Sequence, residues 1–121
     1  YATGIPSQTL LKQLMPGPIT LILNASPKTR MLLNNGNAKV GVRIPNTDLL
    51  LDILKQCDEP LAQTSANLSG DKSSTKIEEF KSIYEDIDLV VDSGEIKSSG
   101  KSSTIIDLTY TGIYKIIREG R

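Results

Sequence analysis

Residues 16 to 23 read PGPITLIL and separate a helix from a strand. Two prolines around a glycine cannot continue a helix, so the helix predicted from Ser7 onwards must end before Pro16. The five-residue run Ile19 to Leu23 that follows is apolar and rich in strand-forming residues, which predicts a strand buried on both faces.

On either side of this stretch, helices and strands alternate early in the chain and strands cluster late. Helices separate the early strands, whereas the last two strands are close enough to form a hairpin. This order predicts a single α/β domain over residues 1–121 with a twisted mixed β-sheet. The further predicted helices cover 27–35, 48–56 and 77–87, and the further strands cover 40–44, 61–64, 89–92, 103–108 and 113–118.

Composition excludes several kinds of chemistry. The chain has 121 residues, 14 basic and 14 acidic side chains and no histidine, so imidazole catalysis and most zinc sites within it are excluded. A net charge of zero gives no global reason to expect nucleic acid as a partner. No long apolar run and no signal-like amino terminus appear, which predicts a cytoplasmic protein with no membrane contact. Cys57 is predicted to be a buried structural thiol.

The segment TSANLSG, Thr64 to Gly70, has the composition of a loop that binds a polar ligand. Its hydroxyl and amide groups can donate to phosphate or carboxylate oxygens, and it follows a predicted strand. Ligands of open α/β sheets bind at the carboxyl ends of strands. The alternative is an ordinary turn that leads into the next helix.

Two arginines lie near the ends of predicted strands. Arg43 precedes Pro45, and Arg118 lies near the end of the last strand, where a guanidinium suits bidentate capture of a carboxylate or phosphate. Each is also explained as a surface arginine. Asp107 is interpreted as part of a solvated surface or a cap.

The segment Gly94 to Ser102 is similar to a phosphate-binding P-loop but does not match it. Five residues rather than four separate its glycines, and Lys101 leads into β-branched residues instead of a helix. The hydroxyls of Ser102, Ser103 and Thr104 at the start of a strand remain candidates for polar contacts.

Five motifs occur in order along the chain: PGPIT (16–20), VGVRIP (40–45), TSANLSG (64–70), STIIDL (103–108) and IIREG (116–120). In this order and spacing they resemble the YrdC-like family of L-threonylcarbamoyladenylate synthases. The resemblance implies a nucleotidyltransferase that condenses L-threonine, bicarbonate and ATP into threonylcarbamoyl-AMP and pyrophosphate, for the threonylcarbamoyladenosine modification of tRNA. Some family members are also described as binders of double-stranded RNA.

The resemblance also implies roles for particular residues. Arg43 and Ser103 are expected to bind threonine, the first through its carboxylate. The expected nucleotide-binding residues are Ser65, Asn67, Ser73 and Arg118. ATP is expected as a substrate, with Mg²⁺ held mainly by its phosphates and by water, so that no protein metal site is needed.

The chain departs from the family pattern at its beginning. Family members carry several dozen residues ahead of PGPIT, including a Lys/Arg-rich motif that grips ATP, and the chain resembles an amino-terminally truncated domain. Without those cations we expect this chain alone to be inactive or nearly so. If strand partners are missing with that segment, apolar runs such as Ile19 to Leu23 are expected to be exposed, favouring self-association or association with the missing segment.

Two other functions are compatible with the same fold. One is a module that binds tRNA or double-stranded RNA without catalysis, which salt-dependent binding with no nucleotide effect would indicate. The other is a carbamoyl-transferring relative found in hydrogenase maturation proteins, which requires additional domains.

Overall fold

The computed structural model describes residues 1–33, 35–67, 74–80, 87–92, 94–95 and 102–120. The chain divides into two compact units. The first, which we call the sheet unit, comprises Tyr1–Glu59 with Ser102–Arg121, and the second comprises Pro60–Lys101.

The sheet unit contains all the regular strands and α-helices of the described residues. Each lies close to its predicted position, except for a two-residue first strand that the sequence did not indicate. In chain order the elements are β1 (Ala2–Thr3), α1 (Gln8–Leu14), β2 (Ile19–Ala25), α2 (Pro27–Leu32), β3 (Lys39–Val42), α3 (Asp48–Gln56), β4 (Thr104–Asp107) and β5 (Lys115–Arg118).

The five strands form one mixed sheet around β2. On one edge β2 pairs antiparallel with β3, and on its other edge it pairs in parallel with β4 and antiparallel with β1. The last strand, β5, pairs antiparallel with β4 and completes the predicted hairpin. The predicted α/β fold with a mixed sheet is therefore confirmed.

The core lies on one face of β2, so the prediction of a strand buried on both faces is wrong. Leu21 is fully buried and Leu23 and Ala25 are buried beside it, whereas the alternate positions Thr20 and Ile22 are only partly covered. Leucines of α1 and Met15 pack against the buried face. Exposure of this run was expected only if its strand partners were missing, and that condition is not met, because β3 and β4 pair along its two edges.

Local capping explains where the helices begin. The hydroxyl of Ser7 accepts from the backbone N–H of Leu10 at 3.3 Å and starts α1, as predicted. Ser26 does the same for α2, accepting from the Thr29 N–H at 3.2 Å. Beyond α2 the backbone enters the left-handed region at Asn35 and at Gly36, where φ is 81°.

Several predictions of local structure are wrong. Residues 61–65 and 89–92 are described without strand pairing, because a short apolar run matches a strand pattern whether or not a partner backbone is available. Near the start of the predicted helix 77–87, the carboxylate of Glu79 accepts from the Thr75 N–H at 2.9 Å. A 3₁₀ turn covers 77–80, and the rest of that predicted helix, 81–86, lies outside the described residues.

Burial was overestimated around α3. The helix has no buried residue, and Leu49 and Leu50 on it are exposed. Cys57, at its end, is exposed rather than buried. An apolar composition indicates which surface a helix could bury, but the described part of the chain does not cover that surface.

Candidate functional site

Four of the five motifs meet at one edge of the sheet. β2 and β4 are parallel and begin side by side, and the antiparallel β3 and β5 end beside those starting points. The PGPIT, VGVRIP, STIIDL and IIREG segments, which are distant in sequence, therefore converge. The site lies at the carboxyl ends of β3 and β5, and it also uses the amino ends of β2 and β4.

The face of the sheet opposite the leucine core carries polar side chains at both its ends, with Ile22 and Ile105 also on it, and we call it the polar face. Strand register places Thr20, Asn24 and Lys39 on it, since Asn24 pairs with Lys39 and side chains alternate along a strand. Its two ends differ in chemistry. The arginine end comprises Thr20, Arg43, Ser103 and Arg118, and the lysine end comprises Lys39, Asp107, Thr109 and Tyr110.

Ser103 is the centre of the arginine end. It immediately precedes β4 and is 8% exposed, and its Oγ lies 2.8 Å from the Oγ1 of Thr20. The backbone N–H of Thr104 donates to the Pro18 carbonyl at 2.9 Å, which holds the start of β4 beside the start of β2. The sequence did not indicate Thr20 as a site residue, although it lies within the PGPIT motif.

Arg118 contacts Ser103 directly. Its Nε and Nη2 both donate to the Ser103 carbonyl oxygen, at 3.1 and 3.0 Å, and Nη2 also lies 3.5 Å from the Ser103 Oγ. Ser103, which is expected to bind threonine, and Arg118, which is expected to bind the nucleotide, are therefore adjacent. This arrangement puts a guanidinium charge beside a hydroxyl, which suits binding of an anionic group.

Arg43 is held from its Nε side. That nitrogen donates to the Gly17 carbonyl at 3.1 Å, and the Gly17 N–H donates to the Ile44 carbonyl at 2.9 Å, so the PGP and RIP segments are joined in both directions. Among the described residues the two terminal nitrogens of Arg43 have no protein acceptor. They are therefore available to a carboxylate or a phosphate.

Gly120 allows the last motif to lie against Ser103. A Cβ atom at this position would overlap the Ser102 carbonyl oxygen and the backbone of Ser103 and Thr104. The Gly120 N–H donates to the Thr104 Oγ1 at 3.0 Å. Only glycine permits this approach of two backbones, and no local pattern in the sequence revealed it.

The lysine end contains an internal ion pair. The Lys39 Nζ lies 2.7 Å from the Asp107 Oδ2, and the Thr109 N–H and hydroxyl donate to Oδ1 at 2.9 and 2.6 Å. The Lys39 ammonium also lies 4.9 Å from the centre of the Tyr110 ring. The interpretation of Asp107 as a solvated or capping residue is wrong in its first part, since its side chain is only 6% exposed.

These contacts shift the ionisation of both partners. Hydrogen bonds from Lys39 and then from Thr109 lower the pKa of Asp107 to about 2, against the opposing effect of burial. The hydrogen bond to Asp107 raises the pKa of Lys39. Near neutral pH the pair is fully charged.

The remaining predicted nucleotide residues belong to the second unit. Residues 64–67 of TSANLSG are described there without regular secondary structure, with Ser65 exposed and Asn67 partly buried. The rest of the motif, 68–70, and Ser73 lie outside the described residues. The sheet unit thus brings Arg43, Ser103 and Arg118 together, and Ser65 and Asn67 stay predictions.

Two features do not occur in the described part of the chain. It holds no group of three or more Cys, Asp or Glu side chains placed to bind a metal ion. None of its helices combines the length and apolar character needed to cross a membrane.

Comparison with known proteins agrees with this arrangement of motifs. The chain is 41% identical over 117 residues to the human protein named threonylcarbamoyl-AMP synthase, covering 92% of this chain and 42% of the human one. A crystal structure of Pyrococcus abyssi Sua5 complexed with L-threonine superposes with a TM-score of 0.84 at 34% identity, covering 98% of this chain and 35% of that one. Escherichia coli YciO superposes with a TM-score of 0.80 at 30% identity, covering 99% and 59%.

The chain therefore spans less than half the length of these two synthase relatives. A model of the Sua5/YciO/YrdC family, described as telomere recombination, matches residues 5–120, almost the whole chain. This match extends through every motif of the arginine end, and the chain belongs to the Sua5/YciO/YrdC family.

Proposed function

We propose that this protein acts in the synthesis of L-threonylcarbamoyl-AMP from L-threonine, bicarbonate and ATP, for threonylcarbamoyladenosine formation in tRNA. The observation that carries the proposal is the arginine end of the polar face, where the terminal nitrogens of Arg43 and the hydroxyl of Ser103 lie at one sheet edge. The synthase names of the human and Pyrococcus abyssi relatives support the same activity.

In this proposal the substrate carboxylate is the group that the chain holds. The terminal nitrogens of Arg43 bind it, and Ser103 donates a further hydrogen bond. The amino group of threonine then remains free to bond to the carbon of bicarbonate, with loss of water. A carboxylate oxygen of the resulting carbamate attacks the α-phosphorus of ATP, and pyrophosphate leaves.

Arg118 is proposed to act on the nucleotide side. Its guanidinium, already fixed on Ser103, stabilises negative charge that develops at the α-phosphate. Ser65, Asn67 and Ser73 are proposed to contact the phosphates as neutral donors. Mg²⁺ enters with ATP as part of the substrate, held by phosphate and water oxygens, which are the ligands it prefers.

This division of roles predicts what the chain does alone. The carboxylate-binding residues are present, so we expect L-threonine to bind. The cytoplasmic location predicted from the sequence stays part of the proposal.

Calorimetric titration of the chain with L-threonine tests the proposal. We expect saturable binding of L-threonine, which is compared with that of L-valine at the same concentration, and a thermal shift with ATP that L-threonine increases. The valine control keeps the carboxylate and removes the hydroxyl, so it measures selectivity within a shared binding mode. A chain indifferent to L-threonine in both measurements would contradict the proposal.

A second function is favoured by the charge of the polar face. Arg43 and Arg118 contribute two cations to it that no carboxylate pairs with in the described part of the chain, although the whole chain has no net charge. A tRNA or double-stranded RNA could use such a surface. Binding of tRNA that weakens steeply with salt and is unaffected by L-threonine and ATP would favour this function over synthesis.

A further inference from the structure

We propose that Thr20 is a positioning residue, which fixes the hydroxyl of Ser103 as a hydrogen-bond donor toward a bound carboxylate. The inference rests on the proposed function, because it concerns the same substrate group. It concerns a residue that acts through Ser103 rather than one that touches the substrate.

The backbone holds the two hydroxyls together. Thr20 lies on β2 and Ser103 immediately precedes β4, and the parallel register pairs Ile19 with Thr104. The hydrogen bond from the Thr104 N–H to the Pro18 carbonyl extends that pairing past the start of both strands. The 2.8 Å separation of Thr20 Oγ1 and Ser103 Oγ is therefore set by strand pairing and not by flexible loops.

Proton counting gives the hydroxyl pair a direction. Two hydroxyls carry two protons, and their mutual hydrogen bond uses one. Arg118 Nη2 approaches the Ser103 Oγ as a donor at 3.5 Å, and Thr20 can occupy the second lone pair of the same oxygen. Only when Thr20 donates does Ser103 keep its proton for a ligand, so a carboxylate beside Ser103 selects that orientation.

This arrangement also strengthens the donor. A hydroxyl that accepts one hydrogen bond becomes a better donor in the next, and the adjacent guanidinium acts in the same sense. Removing the Thr20 hydroxyl would leave Ser103 free to rotate its proton away from the ligand. Valine at position 20 keeps the branched shape that suits a strand, so packing alone predicts no loss of binding.

The experiment compares the wild-type chain with Thr20→Val, Thr20→Ser, Ser103→Ala and the Thr20→Val/Ser103→Ala double variant. We measure the L-threonine Kd by calorimetry and the melting temperature of each variant. We expect Thr20→Val to weaken binding about five- to tenfold with little change in melting temperature, and Thr20→Ser to remain within about twofold of wild type. The double variant should bind no more weakly than Ser103→Ala alone, because Thr20 acts only through Ser103.

Two results would overturn the inference. One is wild-type affinity in Thr20→Val, and the other is a double variant whose loss equals the product of the two single losses. A third measurement does not depend on L-threonine. In the ligand-free chain, we expect a slowly exchanging Thr20 hydroxyl proton with a nuclear Overhauser contact to the Ser103 β-protons, which Ser103→Ala removes.

These measurements separate the two proposals. Failure of the wild-type chain to bind L-threonine would overturn the proposed function, and the hydroxyl-proton spectrum would still decide whether Thr20 positions Ser103. An unprotected Thr20 hydroxyl in wild type would overturn the inference even if L-threonine binds.

Discussion

The arginine end and the lysine end of the polar face use similar side chains but satisfy them differently. At the lysine end, the ammonium of Lys39 meets the carboxylate of Asp107 at 2.7 Å, and the charge is neutralised within the protein. At the arginine end, Arg43 and Arg118 donate only to backbone carbonyls and a hydroxyl within the described part of the chain, so no carboxylate described there neutralises their charges. A cation held in place by neutral acceptors is available to an anionic ligand, whereas an ion-paired one serves the fold.

The largest expected effect tests whether the arginine end depends on close backbone approach. Gly120→Ala would force a methyl group into the backbone of Ser103 and Thr104, and we expect a loss of on the order of 3 kcal/mol of stability. Chemical denaturation followed by circular dichroism measures it.

Gly41→Ala is the matched control for that prediction. A Cβ there would make ordinary contacts, at 3.5 Å from side-chain atoms of Ile22 and Thr20, so its stability should change by less than about 1 kcal/mol. Equal losses in the two variants would contradict the role given to Gly120.

The next prediction concerns the charge left for a ligand. Arg43→Ala should weaken L-threonine binding by roughly 10- to 100-fold, because a charge-assisted contact to the carboxylate is lost. Arg43→Lys should recover only part of the affinity, since an ammonium lacks the planar fork. Lys12→Ala, on the exposed surface of α1, removes a cation elsewhere and should leave the titration unchanged. Equal L-threonine affinities of Arg43→Ala and Lys12→Ala would contradict the placement of Arg43 in the binding site.

At the lysine end, a substitution should lower stability and leave L-threonine binding unchanged. Asp107→Asn removes the carboxylate that neutralises Lys39, and we expect a loss of about 1–3 kcal/mol of stability with no direct effect on L-threonine binding. Asp52→Asn breaks an ion pair of similar length, 2.9 Å to Lys55, but that pair is solvent-exposed and should contribute less than about 1 kcal/mol. A large change in the L-threonine affinity of Asp107→Asn would contradict the assignment of ligand binding to the arginine end and of stability to the lysine end.

Much of the fold was predictable from sequence because its signals are local. The prolines around Gly17 ended α1 where expected, and the apolar runs became β2 and β4. The strand predictions at 61–64 and 89–92 failed because a run of apolar residues does not report whether a neighbouring backbone exists. β1 was missed because two residues are too few to show an alternating pattern.

For the candidate site, prediction from sequence is limited in a different way. Positions at strand ends indicated Arg43, Ser103 and Arg118 as candidates for polar contacts, and the family motifs then assigned their roles. The contact between Thr20 and Ser103 joins positions 83 residues apart and depends on the register of β2 with β4, which a single sequence does not reveal. The burial of Asp107 could have been predicted more readily from the sequence, since positions 103, 105 and 107 of a strand share a face.

The smallest predicted effect is the acid sensitivity of the lysine end. The pKa of Asp107 lies at about 2 in the folded chain, below the ordinary value of 3.8, so the folded state favours the carboxylate. This contribution to stability is complete above about pH 4 and is lost as the pH falls through 2. The difference in melting temperature between wild type and Asp107→Asn should therefore shrink as the pH is lowered from 5 to 2. Both proteins share every other ionisable group, so the difference isolates Asp107. A difference that stays constant would mean that the carboxylate does not titrate with the fold, and the contrast between the two ends would then depend on packing instead of charge.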